Sequence, residues 1–345
     1  MIPVVLPSIP KSSFNKILFV GDFPEKDDLA LGQPFTGRAG QELGKLLSEV
    51  GIVRSQSAFT FVFREAPDAF KIENFCGKKA EVGGKDYTLP PLSMGKYFRP
   101  EYLHYLDKLR ETIAIAEPNL IVALGAVPCW ALLSDPKIGK LRGAIASFEG
   151  TKVLPTYSPQ AVAFKYSFRT VLKTDLIKAK REATFPEIRC PEYNIWLPED
   201  LHDVEYIRKL LCAAPEFALD IETRAGQITC IGFSPDGRNS YVIPIATKTP
   251  PFRYWSAKDE PVVRHSIKSI LDCPAQKSGQ NGVYDLQYCW REGMPVRNYS
   301  DDTMLLHHAM YPEMPKGLGF LGATYTNAPS WKEMRTKETE DKADA

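Results

Sequence analysis

The sequence lacks the cysteine patterns that disulfide frameworks and clustered metal sites require. Its seven cysteines are scattered along 345 residues, with no Cys-x2-Cys pair and no regular spacing. An odd, unpatterned set of this kind is typical of reduced thiols in an intracellular protein. We therefore expect no disulfide bonds.

A large charge of one sign and long apolar runs are missing too. The formal net charge is +1, so nucleic-acid binding cannot be argued from total charge and must come from local patches. No apolar stretch approaches the roughly 20 residues that span a bilayer, and the N-terminus lacks a signal-peptide layout. We expect no membrane partner.

The composition is that of a globular protein with room for about two domains. Hydrophobic residues make up 44% of the chain and charged residues 25%, so each half can bury a core. Residues 184–198 contain three prolines and no periodic pattern, which predicts an extended linker. We expect a first domain over residues 1–183 and a second over residues 199–345.

In the first domain, predicted strands alternate with predicted helices. Apolar runs at 17–20, 59–63, 120–124, 145–148 and 152–155 are separated by helical patterns at 38–50, 101–116 and 127–133, and a basic helix follows at 168–181. This order favours a parallel sheet covered by helices on both faces. Ligands of such sheets bind beyond the carboxyl ends of the strands.

The second domain opens with two carboxylates on one predicted strand. Asp220 and Glu222 follow the apolar run 217–219, and the period of two places both side chains on one face. A predicted hairpin follows over 227–245, and then a strand end that turns into a helix carries Asn281 and Asp285. Carboxylates from separate elements suit a pair of Mg²⁺ or Mn²⁺ ions.

Two such ions can promote phosphodiester cleavage, because one activates the attacking hydroxide and the other neutralises the leaving oxygen. The alternative is that Asp220 and Glu222 are surface acids on a solvated strand. The spacing of Asp285 after Asn281 favours the metal site.

With these motifs in view, residues 199–332 resemble the proofreading 3′–5′ exonuclease domain of family A DNA polymerases, particularly those of phages. The resemblance rests on 217–223, on 279–288 and on 300–326, which begins Ser-Asp-Asp-Thr-Met-Leu-Leu. It implies an RNase H-like fold with a mixed sheet flanked by helices. It also implies that Asp220, Glu222 and Asp285 bind two metal ions and that Asn281 supports the site.

The family's third motif, Tyr-x3-Asp, has only one candidate here, in which Glu340 takes the tyrosine place and Asp344 would be the fourth carboxylate. The surrounding charged segment is equally typical of a frayed tail. No polymerase domain follows, so we expect either a separate polymerase subunit or a chain that is a fragment.

The first half resembles the uracil-DNA glycosylases of the iron–sulfur type and their phage relatives over residues 14–183. Their first motif matches the stretch from Gly21-Asp22-Phe23-Pro24 to Gly37-Arg38-Ala39-Gly40. Their closing motif matches Tyr157-Ser158-Pro159. The resemblance implies a three-layer α/β/α fold that binds uracil-containing DNA.

The resemblance also implies roles for individual residues. Phe35 would stack on a flipped uracil, while Gly21, Asp22 and Asp28 would line the pocket and position water. Val162 and Phe164 would wedge into the duplex. The basic helix that follows, with Lys165, Arg169 and Lys173, suits phosphate contacts, although a solvated helix face is the alternative for each cation.

Three departures from that family bear on activity. Ser158 stands where the family has the histidine that stabilises the uracil anion, and Phe61 lies in the segment where the family has an asparagine that reads the base. The cluster cysteines are absent, since none precedes Cys76, so no iron–sulfur cluster is expected. Losing a donor to a developing anion costs about 10²–10³ in rate.

Three functions follow as hypotheses. The first is a replication or repair protein with an active metal-dependent 3′–5′ DNA exonuclease, acting on single-stranded 3′ ends, beside a glycosylase-like domain of weak or lost activity. The second is a pair of non-catalytic binding modules that guide a polymerase. The third is active uracil excision in which another group replaces the histidine.

Overall fold

The computed structural model describes residues 3–84 and 87–328. These residues form two compact units. The first contains the chain up to Arg189 together with a return segment, residues 322–328, and the second is Cys190–Leu321. The division at residue 189 falls inside the predicted linker. Each unit is described separately.

The strands of the first unit include the parallel ones predicted from its apolar runs. They are β1 Ile17–Gly21, β2 Ala58–Phe61, β3 Cys76–Gly77, β4 Tyr97–Phe98, β5 Leu120–Leu124, β6 Ala146–Phe148 and β7 Thr151–Thr156. The main sheet has the order β2-β1-β5-β7-β6, in which only the edge strand β6 is antiparallel, while β3 and β4 form a separate hairpin.

Helices cover both faces of this sheet. They are α1 Lys26–Leu31, α2 Arg38–Val50, α3 Lys79–Val82, α4 His104–Ala116, α5 Ala126–Leu133, α6 Ile138–Leu141, α7 Pro159–Phe164 and α8 Phe168–Glu182. Alternate residues of β1 enter opposite cores, Ile17 and Phe19 on one side and Leu18 and Val20 on the other. This is the pattern of a parallel strand buried on both faces, and it confirms the predicted three-layer α/β architecture.

The second unit is built on a mixed sheet flanked by helices, as predicted. Its strands are β8 Asn194–Trp196, β9 Glu216–Arg224, β10 Gln227–Ser234, β11 Asn239–Pro244, β12 Gln276–Gly279 and β13 Tyr299–Asp302, and its helices are α9 Leu201–Ala213, α10 Glu260–Asp272, α11 Val283–Arg291 and α12 Thr303–Met310. The sheet order is β13-β12-β9-β10-β11-β8. A further helix, α13 Leu318–Tyr325, ends in the return segment.

The central strand β9 shows why the two predicted carboxylates face outward. Phe217, Leu219 and Ile221 are buried in the core of the unit, whereas Asp220 and Glu222 on the opposite face are exposed. The alternation along a strand therefore fixes one apolar and one acidic face.

The predicted linker is partly ordered, which differs from our expectation. Residues 194–196 form β8, which pairs in parallel with β11 at the sheet edge. All three side chains are exposed, and the strand is held by its backbone pairing with β11 and by the hydrogen bond from Asn194 Nδ2 to Asn239 Oδ1 at 3.0 Å. Among the described residues, no helix is long and apolar enough to cross a membrane.

Candidate functional site

Asp285 reaches the strand that carries the other two predicted acids. Its Oδ1 accepts a hydrogen bond of 2.9 Å from the backbone N–H of Ile221, the residue between Asp220 and Glu222. The bond is available because β12 pairs with β9 only as far as Ala218, which frees this edge of the strand. Asp285, which lies 65 residues after Asp220, is thereby brought to the strand that carries Asp220 and Glu222.

The Asp285 carboxyl is buried, and burial raises its pKa above the ordinary value. The nearby carboxylates of Asp302 and Glu222 raise the pKa further, while the hydrogen bond from Ile221 opposes the shift. A cation in contact with these oxygens would favour the ionised form instead. The local chemistry therefore suits a positively charged ligand.

A fourth acid, Asp302, fixes the turn that precedes Asp285. Its oxygens accept bonds from the backbone N–H groups of Asn281 at 3.1 Å and Gly282 at 2.8 Å, and it caps α12 through Met304. Burial acts to raise the pKa of Asp302, but these N–H donors outweigh it and hold the pKa below the ordinary value. Asn281 adopts φ +57°, a conformation that asparagine tolerates better than most residues.

Tyr299 lies beneath this turn. Its hydroxyl oxygen is buried and has no hydrogen-bond partner among the described residues. Burial raises the pKa of Tyr299 to about 12, and the carboxylates of Asp302, Asp285 and Asp220 add to the shift. The hydroxyl therefore lies within electrostatic reach of the acidic cluster.

The donor set fits hard divalent cations, since carboxylate oxygens are the ligands that Mg²⁺ and Mn²⁺ prefer. Within residues 3–84 and 87–328, however, the set whose ligand atoms lie within 4.8 Å of one another is Asp200, His202 and Asp203. There, Asp200 Oδ1 accepts from Asp203 N at 2.9 Å and caps α9, so that cluster serves a helix start. In the same described ranges, the ligand oxygens of Asp220, Glu222 and Asp285 do not form a set that close. Asp344, the predicted fourth ligand, lies outside the described residues.

The predicted uracil-pocket residues of the first unit come together at the carboxyl ends of its strands. Gly21, Asp22, Asp28, Phe35, Phe61 and Ser158 all line one pocket of about 350 Å³ that opens to solvent. The enclosed part of this space holds little more than one water molecule.

In this pocket, the Phe35 ring packs against two other aromatic rings. Phe35 is 6% exposed; its ring stacks on Phe61 with centroids 4.8 Å apart and meets Phe59 at 5.8 Å. The backbone of Phe35 is held by Arg54, which donates to its carbonyl at 2.7 Å. The Phe35 ring is therefore covered largely by its aromatic neighbours.

Two acids of the pocket have different environments. Asp22 Oδ1 is buried without a hydrogen-bond partner in the described part of the chain, and burial raises the pKa of Asp22 to about 7. Asp28, by contrast, accepts from Thr36 N at 2.6 Å, from Thr36 Oγ1 at 2.8 Å and from Glu25 N at 2.8 Å. Its contacts support the loop between α1 and α2, whereas its role toward water stays a prediction.

The two residues predicted to wedge into the duplex, Val162 and Phe164, lie in the core and at the surface, respectively. Ser158 caps α7 by accepting from Ala161 N at 3.3 Å. Val162 differs from our expectation because its side chain is buried in the core beneath α7. Phe164 is 93% exposed and Tyr166, which we did not single out, is 76% exposed.

The three cations predicted to bind phosphate differ in whether they already form ion pairs. Lys165 is exposed. Arg169 instead pairs with Glu42 at 2.8 Å and with Glu49, and Lys173 pairs with Glu49 at 2.9 Å. Both therefore join α8 to α2, contrary to a purely phosphate-directed role, because their charges are already matched.

Sequence reasoning missed Asp302 and Tyr299 as parts of the site. Asp302 stood in the matched stretch 300–326 without an assigned role, and the acid directly before a helix was a usable capping signal. Tyr299 carries no such local signal, because its position depends on the pairing of β13 with β12.

The family model described as the uracil DNA glycosylase superfamily matches residues 11–180. The type-4 uracil-DNA glycosylase of Thermotoga maritima is 30% identical over 171 residues, which are 48% of this chain and 77% of that protein. The type-4 enzyme of Archaeoglobus fulgidus is 25% identical over 173 residues, 47% of this chain and 74% of that protein.

Solved structures that are similar to this chain include Escherichia coli RNase D, described as an exoribonuclease involved in structured RNA processing. Its TM-score is 0.32 at 20% identity, over 41% of this chain and 36% of that chain. The Aedes aegypti Nibbler EXO domain has a TM-score of 0.27 at 15% identity, over 36% of this chain and 60% of that domain. This chain thus spans less than two thirds of either structure.

Proposed function

The chain belongs to the uracil-DNA glycosylase superfamily, and we propose that it processes DNA with two different units. The second unit is a metal-dependent 3′–5′ exonuclease, and the first binds uracil-containing DNA with weak or no excision. The exonuclease assignment depends on one observation, the bond from Ile221 N to Asp285 Oδ1, which groups Asp285 with the two outward acids of β9.

The residues of this site have two different roles, metal binding and support of the turn before Asp285. Asp220, Glu222 and Asp285 would hold two Mg²⁺ or Mn²⁺ ions, which supply an activated water and neutralise the leaving oxygen. Asp302 and Asn281 keep the turn before Asp285 in place through the backbone bonds of the turn. The exposed face of β9 leaves the acids open to a strand end.

The test compares two glutamates on the same exposed face of β9, Glu222 and Glu216. With Mn²⁺ and a 5′-labelled single-stranded oligonucleotide, we expect Glu222→Gln to slow shortening from the 3′ end by about 10²-fold or more. Glu216→Gln should retain the wild-type rate. Equal rates in both variants, or no shortening by the wild-type protein, would refute the assignment and leave the non-catalytic binding function.

The first unit's proposed role is supported by the contact of Phe61 with Phe35, which buries the ring predicted to stack on a uracil. Incubation with a uracil-containing oligonucleotide followed by alkali should produce few or no strand breaks. Efficient breakage would instead establish active excision.

We also propose that the exonuclease serves a DNA polymerase, either as a separate subunit or as part of a longer chain. The support is the resemblance of residues 217–223, 279–288 and 300–326 to the proofreading domain of family A polymerases. Faster removal of a mismatched than of a matched 3′ terminus on a primed template is the expected result. Equal rates would argue for degradation without proofreading.

A further inference from the structure

Arg291 is a cation that is held in place without an acid. Its guanidinium lies 4.5 Å from the centre of the Tyr288 ring, and it donates to the carbonyl of Gly226 in the turn between β9 and β10. No carboxylate within the described ranges, 3–84 and 87–328, forms an ion pair with it, and its side chain is exposed. Its charge is therefore available to an outside anion.

The neighbouring acid is already engaged. Glu292 Oε2 pairs with Arg264 at 2.8 Å, and its Oε1 accepts from the backbone N–H of Ile228 at 3.1 Å. Because both oxygens are used, Glu292 is not positioned to neutralise Arg291. A guanidinium that is fixed in advance loses less side-chain entropy when it binds a phosphate.

A row of side chains connects Arg291 to the acidic site. The Tyr288 ring lies 4.8 Å from that of Tyr284, and the Tyr284 hydroxyl is 2.6 Å from Thr223 Oγ1, directly after Glu222. Residues 284, 288 and 291 share one flank of α11, since they are four and three positions apart. The row extends about 10 Å along the helix from the carboxylates.

We propose that Arg291 binds a backbone phosphate of the DNA strand whose 3′ end lies at Asp220, Glu222 and Asp285. This inference rests on the proposed function, since it presumes that a strand reaches those acids. Phosphate is the favoured contact, because the tyrosine rings of the row already face each other and the guanidinium, which leaves the guanidinium N–H groups as the open binding groups.

The test is binding of a fluorescent single-stranded oligonucleotide to the full chain in EDTA, so that cleavage cannot interfere. Affinity is measured by anisotropy over a range of salt concentrations. Arg291→Gln should weaken binding several-fold and lower the slope of log K against log salt by about 0.7, the value for one phosphate contact on a single strand. Arg297→Gln, an exposed arginine six residues further on, should change neither quantity.

Two more variants test whether binding needs only the positive charge of residue 291 or also the fixed position of its guanidinium. Arg291→Lys should retain the salt slope, and Tyr288→Leu, which frees the guanidinium, should weaken binding less than Arg291→Gln. Wild-type affinity and slope in Arg291→Gln would overturn the inference even if Glu222→Gln abolishes cleavage. If Arg291→Gln weakens binding while the wild-type protein does not degrade DNA, only the nuclease assignment fails.

Discussion

The ring of Phe61 lies against the ring of Phe35, with centroids 4.8 Å apart and planes inclined by 28°. Phe61 ends β2, and Phe35 belongs to the loop before α2, where it adopts φ +58°. The contact places an apolar ring in the segment where the resemblance predicts a base-reading amide. It therefore accounts for the narrow pocket and supports the proposal of weak or no uracil excision.

Replacing Phe61 with asparagine should open the pocket. Removing a buried ring costs about 3–5 kcal/mol of unfolding free energy, so we expect a lower melting temperature. Free uracil should then raise that temperature for Phe61→Asn and have no effect on the wild-type protein. A uracil-dependent shift of the wild-type protein would contradict the inference that side chains occupy the base site.

Asp22 should make stability depend on pH. Its pKa is about 7 when folded against an ordinary 3.8, so the folded state holds the proton more tightly. The free energy of unfolding therefore falls as the pH rises from about 4 to about 7, by up to about 4 kcal/mol. The Asp22→Asn variant should not show this loss of unfolding free energy.

Urea unfolding at two pH values checks this expectation. The variant Asp22→Asn should match the wild-type protein near pH 4 and exceed its stability by a few kcal/mol at pH 8. An equal difference at the two pH values would show that the carboxyl does not titrate in this range.

Asp28 should matter for stability, while its neighbour Asp27 should not. Asp28→Ala removes the acceptor of the part-buried Thr36 N–H, of the Thr36 hydroxyl and of the Glu25 N–H, which we expect to lower the free energy of unfolding by about 3–5 kcal/mol. Asp27→Ala, at an exposed position of the same helix, should stay within about 0.5 kcal/mol. Similar unfolding midpoints for the two variants would argue against the loop-supporting role.

Much of the fold could be predicted because its elements carry local signals. The apolar run 120–124 is β5 without change, and the spacing of Leu43, Leu46 and Leu47 defines the buried side of α2, which ends at Gly51 with φ +69°. The outward acids of β9 followed from strand periodicity alone. In each case, the residue type and its period determine the burial.

What could not be predicted depends on residues distant in the sequence. Arg169 was assigned to phosphate, yet its partner Glu49 lies 120 residues earlier, and no pattern within α8 indicates that pair. Phe61 against Phe35 is a similar case, since neither motif specifies how the two rings meet. β8 is a further case, because it pairs with β11, which begins 45 residues later in the chain.

Gly282 should tolerate no side chain. Its backbone is helical, with φ −59°, so alanine is acceptable there by conformation, but an added Cβ would lie 1.9 Å from the hydroxyl oxygen of Tyr299. Either Tyr299 or the turn that leads to Asp285 has to move. We expect Gly282→Ala to cost about 1–3 kcal/mol of unfolding free energy and to slow 3′ shortening by about 10²-fold, because a displacement of about 1 Å has that effect on a reacting group.

Gly317→Ala is the matched control, since nothing lies within 4 Å of an added Cβ there, and it should resemble the wild-type protein in both assays. A double-mutant cycle identifies the clash: the stability penalty of Gly282→Ala should shrink when Tyr299→Ala has removed the ring. If the penalty is the same with and without the ring, the two residues are not coupled. The effect of Gly282→Ala must then arise from another part of the turn.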